Sequence, residues 1–171
     1  MSQVLKWFDR KFDLTFPVQL YPNILVRLRG TPARLEELAG ACSGKMLTRQ
    51  YDGTWSMQEN AGHLADLEAL WLARVEDYLS GVETLRAADL SNRKTSEANH
   101  NSRDIRDILK EFRAARAGLL ERTDLLNAEM YSRTALHPRL KTPMRLIDHL
   151  YFVAEHDDQH LARIWELGRI S

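Results

Sequence analysis

The chain has 171 residues, and 24 basic side chains balance 24 acidic ones, so the formal net charge at pH 7 is zero. This length fits one domain with a substantial core. A hydrophobic content of 44% is typical of a globular protein and argues against disorder. The balanced charge provides no basic footprint for nucleic acid, so we expect no nucleic-acid partner.

The cysteine content and the apolar runs favour a cytoplasmic protein. Cys42 is the one cysteine in the sequence, so no internal disulfide can form, which fits a reducing compartment. The first residues alternate charged and aromatic side chains and lack the apolar core of a signal peptide. No run approaches the roughly 18 apolar residues that cross a bilayer, so we expect no membrane partner.

Residues 1–20 are predicted to form an N-terminal extension or lid, ahead of a single domain at residues 21–171. The extension carries four large aromatic side chains: Trp7, Phe8, Phe12 and Phe16. This is more aromatic surface than a free tail should expose, which favours a homodimer. In the alternative interpretation, the segment folds back as a lid over its own domain.

Helical periodicity covers nearly all of the remaining chain, and no strand-like alternation persists. A short helical piece around residues 24–28 precedes a helix that is predicted to begin at Thr31–Pro32. The two pieces are either separate or joined through a kink at Gly30.

The clearest helix is predicted to begin at Ser56 and to end at Ser80–Gly81. Ser56 and Glu59 have the spacing of a capping box, in which each side chain satisfies the backbone amide of the other residue. Glycine is the residue that most often terminates a helix.

Two further helices complete the prediction. One runs from Ser102 to about Leu126, and the last begins at Thr142–Pro143, a good N-cap followed by a proline at the first helical position. Residues 81–101 and 129–141 are predicted as long loops, of a length that is often functional in a compact domain. Four main helices with long connections predict an all-α fold, an antiparallel four-helix bundle with non-trivial connectivity.

A histidine pair near the end of the chain carries the functional argument. His156 and His160 are four residues apart, so on a helix both imidazoles lie on one face and can hold one metal ion. His63, on the capped helix, supplies a third imidazole. Three neutral imidazoles leave one position open for water or substrate, as in a catalytic zinc-type site.

Other polar residues are candidates for supporting roles. Asp66 shares a helix face with His63 and is either a hydrogen-bond acceptor for an imidazole or a solvated residue. Asp66, His149 and Asp158 are the candidates for a general base. His149 lies about 10 Å along the helix from His156, too far to share the ion. His137 precedes a proline in a loop and is a candidate to approach the site from above.

These residues resemble the DinB-like (YfiT-type) superfamily. The resemblance lies in Trp55 before the capped helix, His63 on that helix, and the H-x-x-x-H pair His156 and His160 some ninety residues later. It implies an up-down-down-up four-helix bundle, one divalent ion, often nickel or zinc, held by the three histidines, and frequent dimers. The chain departs from many relatives after His160, where Leu161 stands in place of a common arginine.

The resemblance and the residues leave three functions open. The first is a metal-dependent transferase that uses a low-molecular-weight thiol such as bacillithiol or mycothiol on a small-molecule substrate. The second is a metal-dependent hydrolase at the same site. The third is a non-catalytic, metal-binding stress-response protein. An open coordination position that faces a pocket favours the first two, and closure by a fourth protein ligand favours the third.

Overall fold

The computed structural model describes residues 4–170. Its α-helices are α1 (Tyr21–Gly40), α2 (Gly44–Thr48), α3 (Met57–Ser80), α4 (Arg93–Glu97), α5 (Ile105–Asp124), α6 (Ala128–Tyr131) and α7 (Leu146–Leu167). Strands β1 (Thr134–Leu136) and β2 (Pro143–Arg145) pair in antiparallel register, and 3-10 turns occupy Trp7–Asp9, Val18–Leu20 and His100–Ser102. Within residues 4–170, none of the helices is both long enough and apolar enough to span a bilayer.

The order of cross-helix ion pairs shows the direction of each long helix. Residues farther along α5 pair with residues farther along α3, as in Arg116–Glu68 and Arg122–Glu76, so these two helices are parallel. On α1 and α5 the order is reversed, because Arg29 pairs with Asp124 and Glu36 pairs with Arg113.

Helix α7 is parallel to α1, because Thr31 bonds Asp157 whereas Arg27, earlier in α1, pairs with Glu155, earlier in α7. The four long helices therefore run up, down, down and up in chain order. This confirms the predicted all-α four-helix bundle. The parallel pair α3 and α5 requires the long crossover at residues 81–104.

The bundle core consists of two apolar clusters with a buried ionic layer between them. One cluster includes Val75, Leu119 and Val153, and the other includes Leu35, Leu64, Ile108 and Ile164. In the layer between them, Arg116 donates to Glu68 Oε1 at 2.6 Å and to Asp157 Oδ2 at 2.6 Å. Thr31 Oγ1 donates to the same Asp157 oxygen at 2.8 Å, so all four long helices meet in this layer.

Helix α1 is continuous through Pro32, so the prediction that a helix begins at Thr31–Pro32 is wrong and the joined alternative holds. Pro32 has no N–H to donate to the carbonyl of Leu28, four residues earlier. Arg116 Nη1 donates to that carbonyl at 3.1 Å instead. A side chain from α5 thus replaces the hydrogen bond that the proline removes.

The predicted start of the last helix at Thr142–Pro143 is also wrong. Residues 143–145 form β2, which pairs with β1 inside the predicted loop 129–141, and α7 begins at Leu146. Asp148 accepts from the Arg145 amide at 2.8 Å and so takes the capping role at this helix. By contrast, the predicted ends of α3 are confirmed. Ser56 and Glu59 form the capping box, and the helix ends at Gly81, whose φ is 72°.

The N-terminal segment lies across its own bundle, beside α7. The Trp7 ring packs edge-on against Phe152, with 4.9 Å between ring centroids, and Arg10 forms an ion pair with Glu155. Gln159 Nε2 donates to the Leu5 carbonyl at 2.7 Å. Trp7, Phe12 and Phe16 are therefore partly covered within one chain, whereas Phe8 is 61% exposed, and the homodimer stays a prediction.

We expect Arg116→Met to lower the free energy of unfolding by about 3–5 kcal/mol, because Glu68 and Asp157 would remain buried without a counterion. Denaturant unfolding of the two proteins measures the difference. The matched control is Arg122→Met, which breaks the half-exposed pair with Glu76 and should cost at most about 1 kcal/mol. Equal losses in both variants would contradict a special role for the buried layer.

Candidate metal centre

Three histidines from two antiparallel helices meet at one point. His63 lies on α3, and His156 and His160 lie one turn apart on α7. One ligand nitrogen from each ring lies within 4.8 Å of the others, and the ring centroids are 4.5 to 5.3 Å apart. His63 and His156 are buried, and His160 is half-buried. The structure thus brings together the three residues that the sequence singled out.

The tautomer of His63 is set by a chain of hydrogen bonds. Thr95 Oγ1 donates to Asp66 Oδ2 at 2.8 Å, so the hydroxyl has a lone pair for His63 Nδ1, 3.0 Å away. His63 therefore carries its proton on Nδ1 and has a free lone pair on Nε2. Asp66 also bonds His100 Nε2 at 2.9 Å, which fixes the position of its carboxylate.

His160 is oriented in the same way by Asn60. The Asn60 amide nitrogen donates to the carbonyl of Ser56 at 2.7 Å, which leaves Asn60 Oδ1 as an acceptor. This oxygen lies 2.8 Å from His160 Nδ1, so Nδ1 carries the proton and Nε2 keeps its lone pair. Ligating histidines in metalloproteins commonly donate their other N–H in this manner.

His156 completes the group without a hydrogen-bond partner that orients its ring through Nδ1. Its Nε2 lies 3.2 Å from His160 Nε2, and its Nδ1 is buried with no hydrogen-bond partner among residues 4–170. Trp7 and Trp71 pack edge-on against the ring. Nitrogens that bind one tetrahedral ion at 2.0–2.1 Å are about 3.3 Å apart, so the observed spacing fits a shared divalent ion.

Burial keeps all three imidazoles neutral at pH 7. Loss of solvation lowers the pKa of His63 to about 4 and lowers the pKa values of His156 and His160 well below the usual 6.5. Neutral imidazole is the form that binds a metal ion. The donor set, its orientation and its protonation therefore all fit a divalent cation.

A cavity of about 520 Å³ opens beside the three rings. Its walls include Trp7, Trp55, Leu67, Trp71 and Phe152, and all three histidines line it. In the described part of the chain, no fourth His, Cys, Asp or Glu joins the group. The fourth position of an ion held by these rings would thus face the cavity rather than a protein ligand.

The three candidate bases occupy different environments. Asp66 is linked to His63 through Thr95 and does not line the cavity. His149 is fully buried between Trp71 and Tyr78, away from the cavity wall.

Asp158 is held by Arg27 and Arg34 at 2.5 and 2.7 Å on the α1 side of α7. It does not line the cavity either. The structure therefore does not place any of the three candidate bases against a substrate in the cavity.

Sequence reasoning missed two supporting residues. Asn60 lies three residues before His63, and that helical spacing was the available signal. Thr95 lies in a predicted loop and gave no signal, because its contact with His63 spans 32 residues of sequence. His137, a candidate to approach the three histidines, lines the cavity beside Arg74 instead.

An up-down-down-up bundle with three converging imidazoles beside a cavity defines a class of helical proteins with an open three-histidine centre. The family model of the DinB superfamily matches residues 27–164, and the chain belongs to this superfamily. The resemblance inferred from the motif residues is thereby confirmed.

One solved structure shares the fold over most of its length. It is that of YfiT from Bacillus subtilis, described as a probable metal-dependent hydrolase with an unusual four-helix bundle topology. The two chains are 22% identical with a TM-score of 0.80, over 94% of this chain and 92% of YfiT. At this identity the likeness shows the fold alone. Among curated proteins, none matches this sequence.

We expect Gly62→Ala to weaken metal binding about tenfold or more. A Cβ at Gly62 would lie 2.3 Å from the His100 ring, so the ring would have to move away from Asp66, which orients His63 through Thr95. Changes in such supporting partners typically cost 10- to 100-fold in affinity. Calorimetric titration of zinc into the purified apoprotein measures the effect.

The matched control is Gly118→Ala on α5, where a Cβ meets nothing within 4 Å. It should leave zinc affinity unchanged and stabilise the helix by roughly 0.5–1 kcal/mol. Equal zinc affinity in wild type and Gly62→Ala would show that the Asp66 chain does not support the centre.

We expect the apoprotein to lose stability as the pH falls from about 6.5 towards 4. Burial, with Arg74 nearby, lowers the pKa of His137 to about 4 and that of His149 well below 6.5. In this window the unfolded chain binds protons that the folded chain does not, so the stability is complete above pH 6.5 and is lost on acidification. Urea midpoints at pH 7.5, 5.5 and 4.5 in chelator measure it, and His137→Asn should show a shallower decline.

Proposed function

We propose that the protein is a metal-dependent enzyme in which His63, His156 and His160 hold one divalent ion, zinc or nickel. The observation that carries this proposal is the absence of a fourth protein ligand in the described chain, at the side where the rings face the cavity. Imidazole nitrogens suit both metals. A small-molecule substrate fits a cavity of about 520 Å³. We also propose that the protein is a homodimer, and the support for this is the family resemblance alone.

The protein side chains supply orientation and exclude water. Thr95 and Asn60 fix the tautomers of His63 and His160, so both Nε2 lone pairs are presented without reorganisation. Trp55 and Trp71 make the walls beside the rings apolar. When bound, a divalent ion supplies Lewis-acid chemistry, which acidifies a water or a thiol at its open position.

We infer thiol-dependent S-transfer as the reaction. In such a transfer the thiol loses its proton to solvent, its sulfur bonds to the electrophilic carbon, and the bond to the leaving group breaks, so that the leaving group departs with the electron pair. No carboxylate lines the cavity beside the histidines. Asp89, the one acidic residue in the described wall, accepts from the Ser91 and Arg93 amides in its own loop. A thiol needs less help from a protein base than water does, because its pKa is much lower.

Hydrolysis is the second candidate. The observation that favours it is the fold shared with YfiT, whose description names a probable metal-dependent hydrolase. The two reactions differ in what they consume. Hydrolysis proceeds without added thiol, whereas S-transfer stops when the thiol is left out.

We expect His160→Ala to abolish turnover of an electrophile such as 1-chloro-2,4-dinitrobenzene with added thiol, while the fold persists. Two imidazoles bind the ion far more weakly than three, but the bundle keeps its apolar core. Activity is assayed beside thermal unfolding, with and without chelator. Asp158→Asn is the control and should remain active, since this carboxylate faces Arg27 and Arg34 rather than the cavity.

A chelated protein that is folded but inactive supports the enzyme. A large fall in melting temperature on chelation, with no thiol-dependent or hydrolytic turnover in the loaded protein, would favour a structural metal in a non-catalytic stress-response protein and contradict the proposal.

A further inference from the structure

One end of the cavity, about three helical turns along α3 from His63, contains two hydrogen-bond donors that face each other. Arg74 Nη1 lies 3.4 Å from His137 Nε2, and both residues line the cavity. His137 Nδ1 accepts from the backbone amides of Arg139 and Leu140 at 3.3 and 3.1 Å. Because Nδ1 is an acceptor, the proton of the neutral ring is on Nε2, so His137 cannot accept from Arg74.

Arg74 has no acidic partner. Its side chain is 2% exposed, and its Nε donates to the carbonyl of Arg86 at 3.0 Å. Among residues 4–170 it forms no ion pair, and its neighbour Asp77 is already held by Arg86 at 2.5 Å. A guanidinium buried this deeply is normally paired with an anion.

Arg139 adds a second unpaired cation to the same end of the cavity. Its guanidinium lies over the rings of Phe8 and Phe152, 5.1 and 6.0 Å from their centroids. In the described chain it also forms no ion pair with a carboxylate. Burial, together with the field of both arginines, lowers the pKa of His137 to about 4, so its ring stays a neutral donor.

We propose that this end of the cavity binds an oxyanion group of the substrate, a carboxylate in the first instance, between Arg74, His137 and Arg139. An anionic oxygen between Arg74 Nη1 and His137 Nε2 accepts from both and removes the conflict between the two donors. Hydrogen bonds from charged donors to a carboxylate are among the strongest in proteins. The two donors that face each other, Arg74 and His137, are both 2% exposed, and the half-buried Arg139 lies beside them.

The middle of the cavity defines the rest of the ligand. Arg74 lies eleven residues after His63 on α3, which places their backbones about 16 Å apart along the helix axis. Leu67, Trp71 and Phe152 line the wall between these ends. The substrate class is therefore an elongated small molecule with an anionic end, an apolar body, and a reactive end at the three histidines. That this molecule is a substrate rests on the proposed function, whereas the anion site rests on the contacts of Arg74, His137 and Arg139 alone.

Calorimetric titration with 4-phenylbutanoate and its neutral amide tests the site. The chelated apoprotein is used, so that a carboxylate cannot bind through a metal ion. We expect the carboxylate to bind at least tenfold more tightly than the amide. Arg74→Gln should remove most of this preference, with a loss of about 10- to 100-fold for the carboxylate alone. Arg139→Gln, which changes a half-buried residue, gives a smaller loss in the same direction and guards against misfolding of Arg74→Gln.

The matched control is Arg163→Gln. Arg163 also lines the cavity, but beside the histidines, and it is paired with Glu166. The Arg163→Gln variant removes one positive charge from the cavity wall, as Arg74→Gln does, and should change carboxylate affinity less than twofold. Equal binding of carboxylate and amide, or equal losses in all three variants, would overturn the anion site. A phenylalkyl phosphonate that binds more tightly than the carboxylate would overturn the assignment of a carboxylate. A protein that binds the carboxylate as expected but does not bind zinc would contradict the proposed function and leave the anion site intact.

Discussion

The guanidinium of Arg116 is the contact on which the geometry of the bundle depends. It lies between two buried carboxylates, Glu68 on α3 and Asp157 on α7, and it also bonds the carbonyl that Pro32 leaves free on α1. A fully satisfied buried network of directional hydrogen bonds rigidifies the core around it, so this layer helps to fix the register of the helices. Asp157 directly follows His156, and Glu68 lies five residues after His63. The ionic layer therefore holds the two helices that carry the histidines at a set height.

The cavity combines two kinds of chemistry in one apolar channel. At one end, three neutral imidazoles present lone pairs, with the tautomers of His63 and His160 fixed by hydrogen bonds, and at the other end N–H groups present protons. Aromatic walls between them lower the local dielectric, which strengthens both interactions. In the proposed binding mode, a molecule that spans the channel is held at both ends in one orientation. Orientation of this kind is a large part of what an enzyme contributes when the bond-making chemistry belongs to a cofactor.

Local patterns predicted the parts of the structure that are local. The Ser56–Glu59 cap and the four-residue spacing of His156 and His160 are satisfied within one or two turns of helix, so the sequence sufficed for them. The continuation of α1 through Pro32 and the start of α7 depend on partners that are distant in the sequence. Arg116 is 84 positions after Pro32 by residue number, and β2 exists only because it pairs with β1. The contact of Thr95 with His63 and that of Arg74 with His137 could not be predicted for the same reason, because sequence periodicity does not reveal contacts between side chains on different elements.

The carboxylate of Glu155 has two cationic partners, Arg10 from the N-terminal segment and Arg27 from α1. Withdrawal of a single partner from a buried ion pair normally leaves a bare charge, and that penalty makes such pairs hard to separate. Arg27 neutralises Glu155 with or without Arg10, so this ion pair adds little to the cost of separating the segment from the bundle. The segment that covers the histidines is therefore held by the packing of Trp7 on Phe152 and by the hydrogen bond from Gln159 to Leu5 rather than by its charge.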